Sequence, residues 1–267
     1  MIPQAEVFRL AHRYGVGERI IEKDYVLSWV LIAIAESDLR DQVAFKGGTA
    51  LKKVYFAGYR FSEDLDFTLV RNLNHDELLG LVQQSLPSLL KRENLRVDVE
   101  KADLSQHESS RVELAYVGPL QARMGSRQLR MDFTRNELLV NEPRRAELKA
   151  PYSDYPGAVR LPTYTINEIL AEKLCALMGR TEPRDLYDVY WVLKKSTVDR
   201  EFLYHDFLAK AEYKGHEPAR LYEALGDKAS RFESQWKARL GQQVQDLPQF
   251  DEVMRAVRRH VRQLELD

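Results

Sequence analysis

The stretch Phe45-Lys-Gly-Gly-Thr-Ala-Leu-Lys-Lys-Val54, followed by Arg60-Phe-Ser-Glu-Asp-Leu-Asp-Phe-Thr-Leu69, gathers residue types that can handle a metal ion and a phosphate chain. Asp64 and Asp66 stand two apart in a run that reads as a strand. Their carboxylates therefore share one face, while Leu65, Phe67 and Leu69 turn toward a core. Gly47 and Gly48 offer backbone N–H groups to phosphate oxygens, Thr49 can open a helix, and Ser62 adds a hydroxyl. Oxygen ligands on one strand face suit a hard divalent cation. A nucleotidyl transferase uses such ions, often a pair about 4 Å apart, to clamp a triphosphate and an attacking oxygen. An Asp-x-Asp pair alone more often marks a wet strand face. The Gly-Gly-Thr turn upstream, with Arg60 and Ser62 interposed, shifts the balance toward a metal-and-phosphate site.

Further groups extend that chemistry. Asp132 falls on the polar face of a second alternating run, beside Gln128 and Arg130, and adds a third carboxylate if its strand neighbours the first. Otherwise it is a solvated acid. Lys173 lies on or beside the apolar stripe Ile169, Leu170, Leu174 and Leu177, so it either binds an anionic partner such as a triphosphate or snorkels at the stripe edge. In Arg184-Asp185-Leu-Tyr-Asp188 the two acids share a helix face and Arg184 can pair with Asp188. Read without context, these acids simply complement a helix dipole. Glu22-Lys23-Asp24 interrupts a strongly apolar helix and is either a site wall or a structural ion cluster. The histidines are scattered without zinc-ligand spacing, and no Walker A, Gly-x-Ser-x-Gly or Gly-x-Gly-x-x-Gly motif is present.

Positioning these groups falls to elements readable from periodicity. Pro3–Tyr14 and Glu18–Glu36 are predicted helices and Val43–Lys46 a short strand. A helix capped by Thr49 runs to about Phe56, and Asp64–Val70 is a strand. His75–Arg92 is a helix interrupted near Pro87. Strands are predicted at Leu95–Glu100, around Val112–Tyr116 and around Leu129–Phe133. Residues 141–157 read as a connector. Beyond Thr165, whose Thr165-x-x-Glu168 spacing matches a capping box, the pattern is helical: to Gly179 as a C′ residue, then Arg184–Lys195, Arg200–Lys214, Pro218–Leu240 and Phe250–Leu264.

Composition bounds the alternatives. The 267 residues suit one large domain or two small ones. With 40 Lys and Arg against 41 Asp and Glu, no global charge advertises nucleic acid or an anionic membrane. Cys175, the only cysteine, excludes an internal disulfide or multi-cysteine zinc site and reads as a buried, inert thiol. The N-terminus lacks the pattern of a signal peptide, and the richest apolar stretch, Val26–Ala35, is about half a membrane span. The expectation is a cytoplasmic protein.

Ile21-Glu-Lys-Asp-Tyr25, Phe45-Lys-Gly-Gly-Thr-Ala-Leu51, Arg60-x-Ser-x-Asp-Leu-Asp-Phe67, Leu129-Arg-Met-Asp132, Glu168-Ile-Leu-Ala-Glu-Lys173 and Arg184-Asp185-Leu-Tyr-Asp188 together resemble the ordered motifs of the AbiEii family. These are nucleotidyl transferase toxins of abortive-infection and type IV toxin–antitoxin systems, related to the MenT toxins. The resemblance spans about Ile21 to Leu193. It implies an α+β fold: a DNA polymerase β-like nucleotidyl transferase core over 1–157, with a mixed sheet flanked by helices, and a helical C-terminal lobe over 158–267 that completes the active site. It implies Asp64 and Asp66 as Mg²⁺ ligands, Asp132 as a third ligand or general base, and phosphate binding at Gly48 and Thr49, to which the turn itself adds Gly47 and Ser62 as candidates. Lys173 would contact the nucleotide phosphates and Asp185 would be the essential acid of the last motif. The implied reaction is Mg²⁺-dependent transfer of NMP from an NTP to an acceptor such as the 3′ end of tRNA, with a cognate antitoxin as partner. Lys46, Lys52, Lys53, Arg60, Arg123, Arg127 and Arg130 are the candidate RNA-facing cations. The alternatives are transfer to a small molecule or protein, and a nucleotide-binding partner protein without turnover.

Overall fold

Alternating apolar and polar residues at 109–117 and 128–134 bury one face of each run and wet the other, and these runs form the body of a mixed sheet. The computed structural model describes residues 1–104 and 108–264. The chain divides into two units, Met1–Glu137 with Pro143–Tyr164, and Leu138–Glu142 with Thr165–Asp267.

The first unit carries α1 (Gln4–Tyr14), α2 (Glu18–Ala35), β1 (Val43–Lys46), α3 (Gly47–Ala50), β2 (Asp64–Leu69), α4 (His75–Ser85) and α5 (Pro87–Glu93). It continues with β3 (Arg96–Asp103), β4 (Ser109–Val117), β5 (Gln128–Thr134), β6 (Arg144–Glu147) and β7 (Arg160–Thr163). The strand order is β3-β4-β5-β2-β1-β7-β6. The β2–β5 and β1–β7 pairs are parallel and the others antiparallel. Nearly every residue of α2 from Ile21 onward is buried, as expected of a helix apolar all round.

Register in the middle of the sheet is pinned by an aromatic ladder. Phe45, Phe67 and Phe133 are register partners on β1, β2 and β5, with ring centroids 5.5 and 5.4 Å apart. All three are fully buried, each worth about 1.5–3 kcal/mol of transfer free energy. A one-residue slip would turn these rings to the wet face, so the ladder fixes the polar residues between them.

The structure departs from the sequence expectations in several places. Residues 141–157 are not only a connector. Arg144–Glu147 is an edge strand whose Arg144, Arg145 and Glu147 are exposed, a charged edge that resists further pairing. β7 carries no alternation strong enough to announce itself. Thr49 is not a helix cap, because α3 already begins at Gly47 and Leu51–Tyr55 continues as a π-helical turn. The Thr49 hydroxyl donates instead to the Asp64 carbonyl at 2.5 Å, tying α3 to β2.

The described elements of the second unit are helical: α6 (Ile166–Gly179), α7 (Pro183–Lys195), α8 (Arg200–Tyr213), α9 (Leu221–Asp227), α10 (Ala229–Leu240) and α11 (Phe250–Arg262). The expected helix over 218–240 is broken, with a 3₁₀ turn at Pro218–Arg220 and a break at Lys228. The capping box at Thr165 is half formed. Its hydroxyl accepts from Glu168 N–H at 3.2 Å, but the Glu168 carboxylate is buried, pairing with Lys210 at 2.8 Å and accepting from Val140 and Asn141. Gly179 is the last residue of α6 rather than a left-handed C′ residue, since the chain leaves extended at Arg180. Cys175 is buried, as its apolar surroundings predict. Among the described residues no helix is long and apolar enough to cross a membrane.

Candidate active site

The register set by the phenylalanine ladder brings the acids of the first unit together. Asp66 on β2 is the register partner of Asp132 on β5, and Asp64 is the partner of Arg130. Arg111 on β4 is the partner of Asp132 from the other side. Residues in register on neighbouring strands share a face, so Asp64, Asp66, Arg130, Asp132 and Arg111 all project from the side opposite the rings. The strand of Asp132 is therefore the neighbour of the Asp64–Asp66 strand.

Charges alternate along the row Arg111, Asp132, Asp66, Lys46 except at one junction, where Asp132 and Asp66 lie side by side. Directly opposed like charges are destabilising unless something bridges them. Asp64 and Asp132 each hold a guanidinium partner. Arg130 Nε lies 3.2 Å from Asp64 Oδ1, and Arg111 Nε lies 2.7 Å from Asp132 Oδ1.

The glycine turn abuts this face. Gly47 has φ +77°, and a Cβ there would fall 2.4 Å from Asp66 Oδ2. A Cβ on Gly48 would fall 2.6 Å from Arg60 Nη2 and 3.4 Å from the Ser62 hydroxyl. The glycines are thus required by close approach as well as by backbone conformation. Gly47→Ala is expected to lower any turnover at this face about a hundredfold while costing about 1–2 kcal/mol of stability, because the new methyl displaces the Asp66 carboxylate. Steady-state kinetics beside urea denaturation separate the two effects.

Most of the proposed RNA-facing cations do not face solvent. Lys46, Lys52, Lys53 and Arg60 are buried. Lys46 pairs with Glu137 at 3.8 Å, and Lys52 sits 3.8 Å over the Phe61 ring. Lys53 donates to Asp24 at 2.6 Å and to Ser28 at 2.8 Å. Burial would push the Asp24 carboxyl up, but Lys53, Lys52 and the Tyr152 hydroxyl hold it below its ordinary value. Glu22 is also fully buried and accepts from Leu120 N–H at 2.7 Å, with Arg127 at 3.6 Å. Glu22 and Asp24 therefore anchor the core, whereas Lys23 reaches Glu63 only at 3.9 Å. Arg123 and Arg130 are exposed and Arg127 half-buried.

In the second unit, Lys173 on α6 reaches two acids of α7, Asp185 Oδ1 at 2.6 Å and Asp188 Oδ2 at 2.9 Å. Arg180 Nε adds a bond to Asp185 Oδ2 at 2.7 Å. The inward lysine thus has carboxylate partners within its own unit. Arg184 pairs with Glu182 at 3.3 Å rather than with Asp188, which Lys173 has taken. The sequence reading missed Arg180 and Arg111 as partners of the candidate acids. Only cross-strand register or the α6–α7 turn brings them there.

Burial would raise the Asp185 pKa, but Lys173 and Arg180 hold it well below the usual carboxylate range. The folded value lies under the unfolded one, so this carboxylate stabilises the fold fully above about pH 4, and that stability is lost as pH falls toward the folded value. Asp185→Asn is expected to cost about 1–3 kcal/mol at pH 7 and to flatten the decline below about pH 4. Urea midpoints at pH 7, 5 and 3.5 measure both effects.

The family model described as nucleotidyl transferase AbiEii toxin, type IV toxin–antitoxin system, matches residues 29–256. Among solved structures, MenT4, a nucleotidyltransferase toxin of Mycobacterium tuberculosis, is 18% identical with a TM-score of 0.70, over 99% of this chain and 90% of that one. JHP933 of Helicobacter pylori is 18% identical with a TM-score of 0.54, over 93% of each chain. At such identities the likeness is one of fold. No curated protein matches the chain.

Proposed function

The chain belongs to the AbiEii family of nucleotidyl transferase toxins of type IV toxin–antitoxin systems, and on that premise we propose that it transfers NMP from an NTP, bound with Mg²⁺ at Asp64, Asp66 and Asp132, to a hydroxyl at the 3′ end of tRNA. A toxin of such a system has a cognate antitoxin, and a nucleotidyl transferase has an NTP as substrate. The observation that carries the reading is the juxtaposition of Asp66 with Asp132 on adjacent strands beside the Gly47 turn.

The donor set fits a hard divalent cation. Among the described residues no group of three or more His, Cys, Asp or Glu side chains forms a ready-made metal cluster. Mg²⁺ needs less than that, because it is commonly held through one or two carboxylates with waters and substrate phosphates completing its shell. When bound, the ion supplies Lewis acidity to the triphosphate and acceptor oxygens. Asp64 and Asp66 hold it, and Asp132 serves as third ligand or takes the proton of the acceptor hydroxyl. The N–H groups at Gly47, Gly48 and Thr49, with the Ser62 hydroxyl, receive phosphate oxygens as pyrophosphate leaves.

One observation favours a second reading, in which the acceptor is a small molecule or a protein side chain. Burial of Lys46, Lys52, Lys53 and Arg60 removes much of the cationic surface that an RNA acceptor would use. The two are separated by incubating the protein with Mg²⁺, each α-labelled NTP, total tRNA and a cell extract freed of RNA, beside an Asp66→Ala control. Label on tRNA that vanishes in the control is the expected result. Label confined to protein or small molecules transfers the conclusion to the second reading. Nucleotide binding without transfer overturns both.

A further inference from the structure

The ion pair between Arg130 and Asp64 is built differently from the buried pair of the same unit, Lys53 with Asp24. Lys53 and Asp24 are 2% and 1% exposed and locked by further hydrogen bonds. Arg130 and Asp64 are 46% and 21% exposed, and their contacts are long, 3.2 Å from Nε and 3.5 Å from Nη2. A pair of this kind contributes little to stability, and its arginine exchanges partners readily. Arg130 also has a second carboxylate in register on its other side, Glu113 of β4, yet its guanidinium pairs with Asp64. Arg111 holds Asp132 by a shorter contact, 2.7 Å, and is itself 48% exposed. Both arginines therefore occupy carboxylates of the face assigned to the metal.

We infer that Arg130 is a positioning residue that couples metal binding to nucleotide binding: it holds Asp64 in the nucleotide-free enzyme and passes to the triphosphate when the nucleotide arrives. This rests on the reading of Asp64 as a metal ligand. A guanidinium fork bonds phosphate oxygens more strongly than it bonds a carboxylate at 3.2 Å. The incoming nucleotide therefore draws Arg130 away and leaves Asp64 free to take the cation. Without nucleotide, the cation must displace the arginine itself, and its apparent affinity falls by the fraction of molecules in which Asp64 is held. The coupling is reciprocal, so bound metal strengthens nucleotide binding by the same factor. The enzyme thus avoids carrying a loaded metal site without its substrate.

The test is calorimetric titration of Mn²⁺, as the probe cation, into the full chain with and without a non-hydrolysable NTP analogue. Wild type is expected to bind Mn²⁺ several-fold more tightly with the analogue present. Arg130→Gln is expected to bind Mn²⁺ alone about three- to fivefold more tightly than wild type, the worth of one exposed ion pair. The variant is also expected to bind the analogue without metal about tenfold more weakly and to lose most of the coupling. Arg130→Lys, which keeps the charge but not the fork, should fall between them. Lys101→Gln removes a charge from the same register row two strands away and serves as the control for long-range electrostatics. Equal Mn²⁺ affinity in wild type and Arg130→Gln, or equal tightening by Lys101→Gln, overturns the inference. Asp64→Asn separates the two layers. If it leaves Mn²⁺ binding unchanged, the metal-ligand reading of Asp64 fails and the inference with it. If it weakens Mn²⁺ binding while Arg130→Gln changes nothing, only the inference fails.

Discussion

Asp66→Asn is expected to reduce nucleotidyl transfer about a thousandfold while changing the melting temperature little. The asymmetry comes from where Asp66 stands. It is in register with Asp132 on one side and Lys46 on the other, and asparagine can occupy the same place between them. Asparagine matches its shape, so the close approach to Gly47 is preserved. What is lost is an anionic oxygen on the face proposed to receive cation and triphosphate, which matters most where charge develops in the transition state. Turnover measured with saturating NTP, beside thermal unfolding, reads both halves. A loss of less than about tenfold would remove Asp66 from the chemistry.

The largest stability effect is expected elsewhere, at Lys53→Met. Lys53 and Asp24 are both fully buried, 2.6 Å apart, and the Tyr152 hydroxyl donates to the same carboxylate at 2.6 Å. Removing the lysine leaves a buried carboxylate without its ion-pair partner, a change that costs about 3–5 kcal/mol. For a chain of this size that corresponds to a fall of roughly 10 °C in melting temperature. Replacing both partners, with Asp24→Leu added, should recover much of the loss, because the pair as a whole returns little over a packed apolar substitute. Urea unfolding of the two singles and the double gives the coupling energy. If Lys53→Met costs no more than an ordinary surface change, the pair is not the anchor described here.

Local pattern carried far in the sequence. β1, the Asp64–Leu69 strand and the alternating runs of β4 and β5 were legible because period two reports burial on one face, and Asp64 with Asp66 followed from the same rule. What local pattern could not supply was register. Nothing near Asp132 says that it lies beside Asp66, since that depends on β5 adding parallel to β2 through a distant connection. The same limit hid Arg111 and Arg180 as partners of candidate acids. It also misled the reading of Lys46, Lys52, Lys53 and Arg60. A cation-rich segment looks like a surface until the buried acids and rings that receive it, Glu137, Asp24 and Phe61, are seen against it. Glu168 shows the competition between levels. Its spacing from Thr165 suits a capping box, but the buried Lys210 took the carboxylate that the box would have used.

The central claim is that the acidic face of the first unit transfers a nucleotidyl group, and position-specific labelling of the NTP tests it most directly. With tRNA as acceptor and Mg²⁺ present, label at the α phosphorus should appear on the tRNA and label at the γ phosphorus should leave as pyrophosphate, both abolished by Asp66→Asn. Transfer of the γ label to the acceptor, or α transfer that persists in Asp66→Asn, would contradict the account.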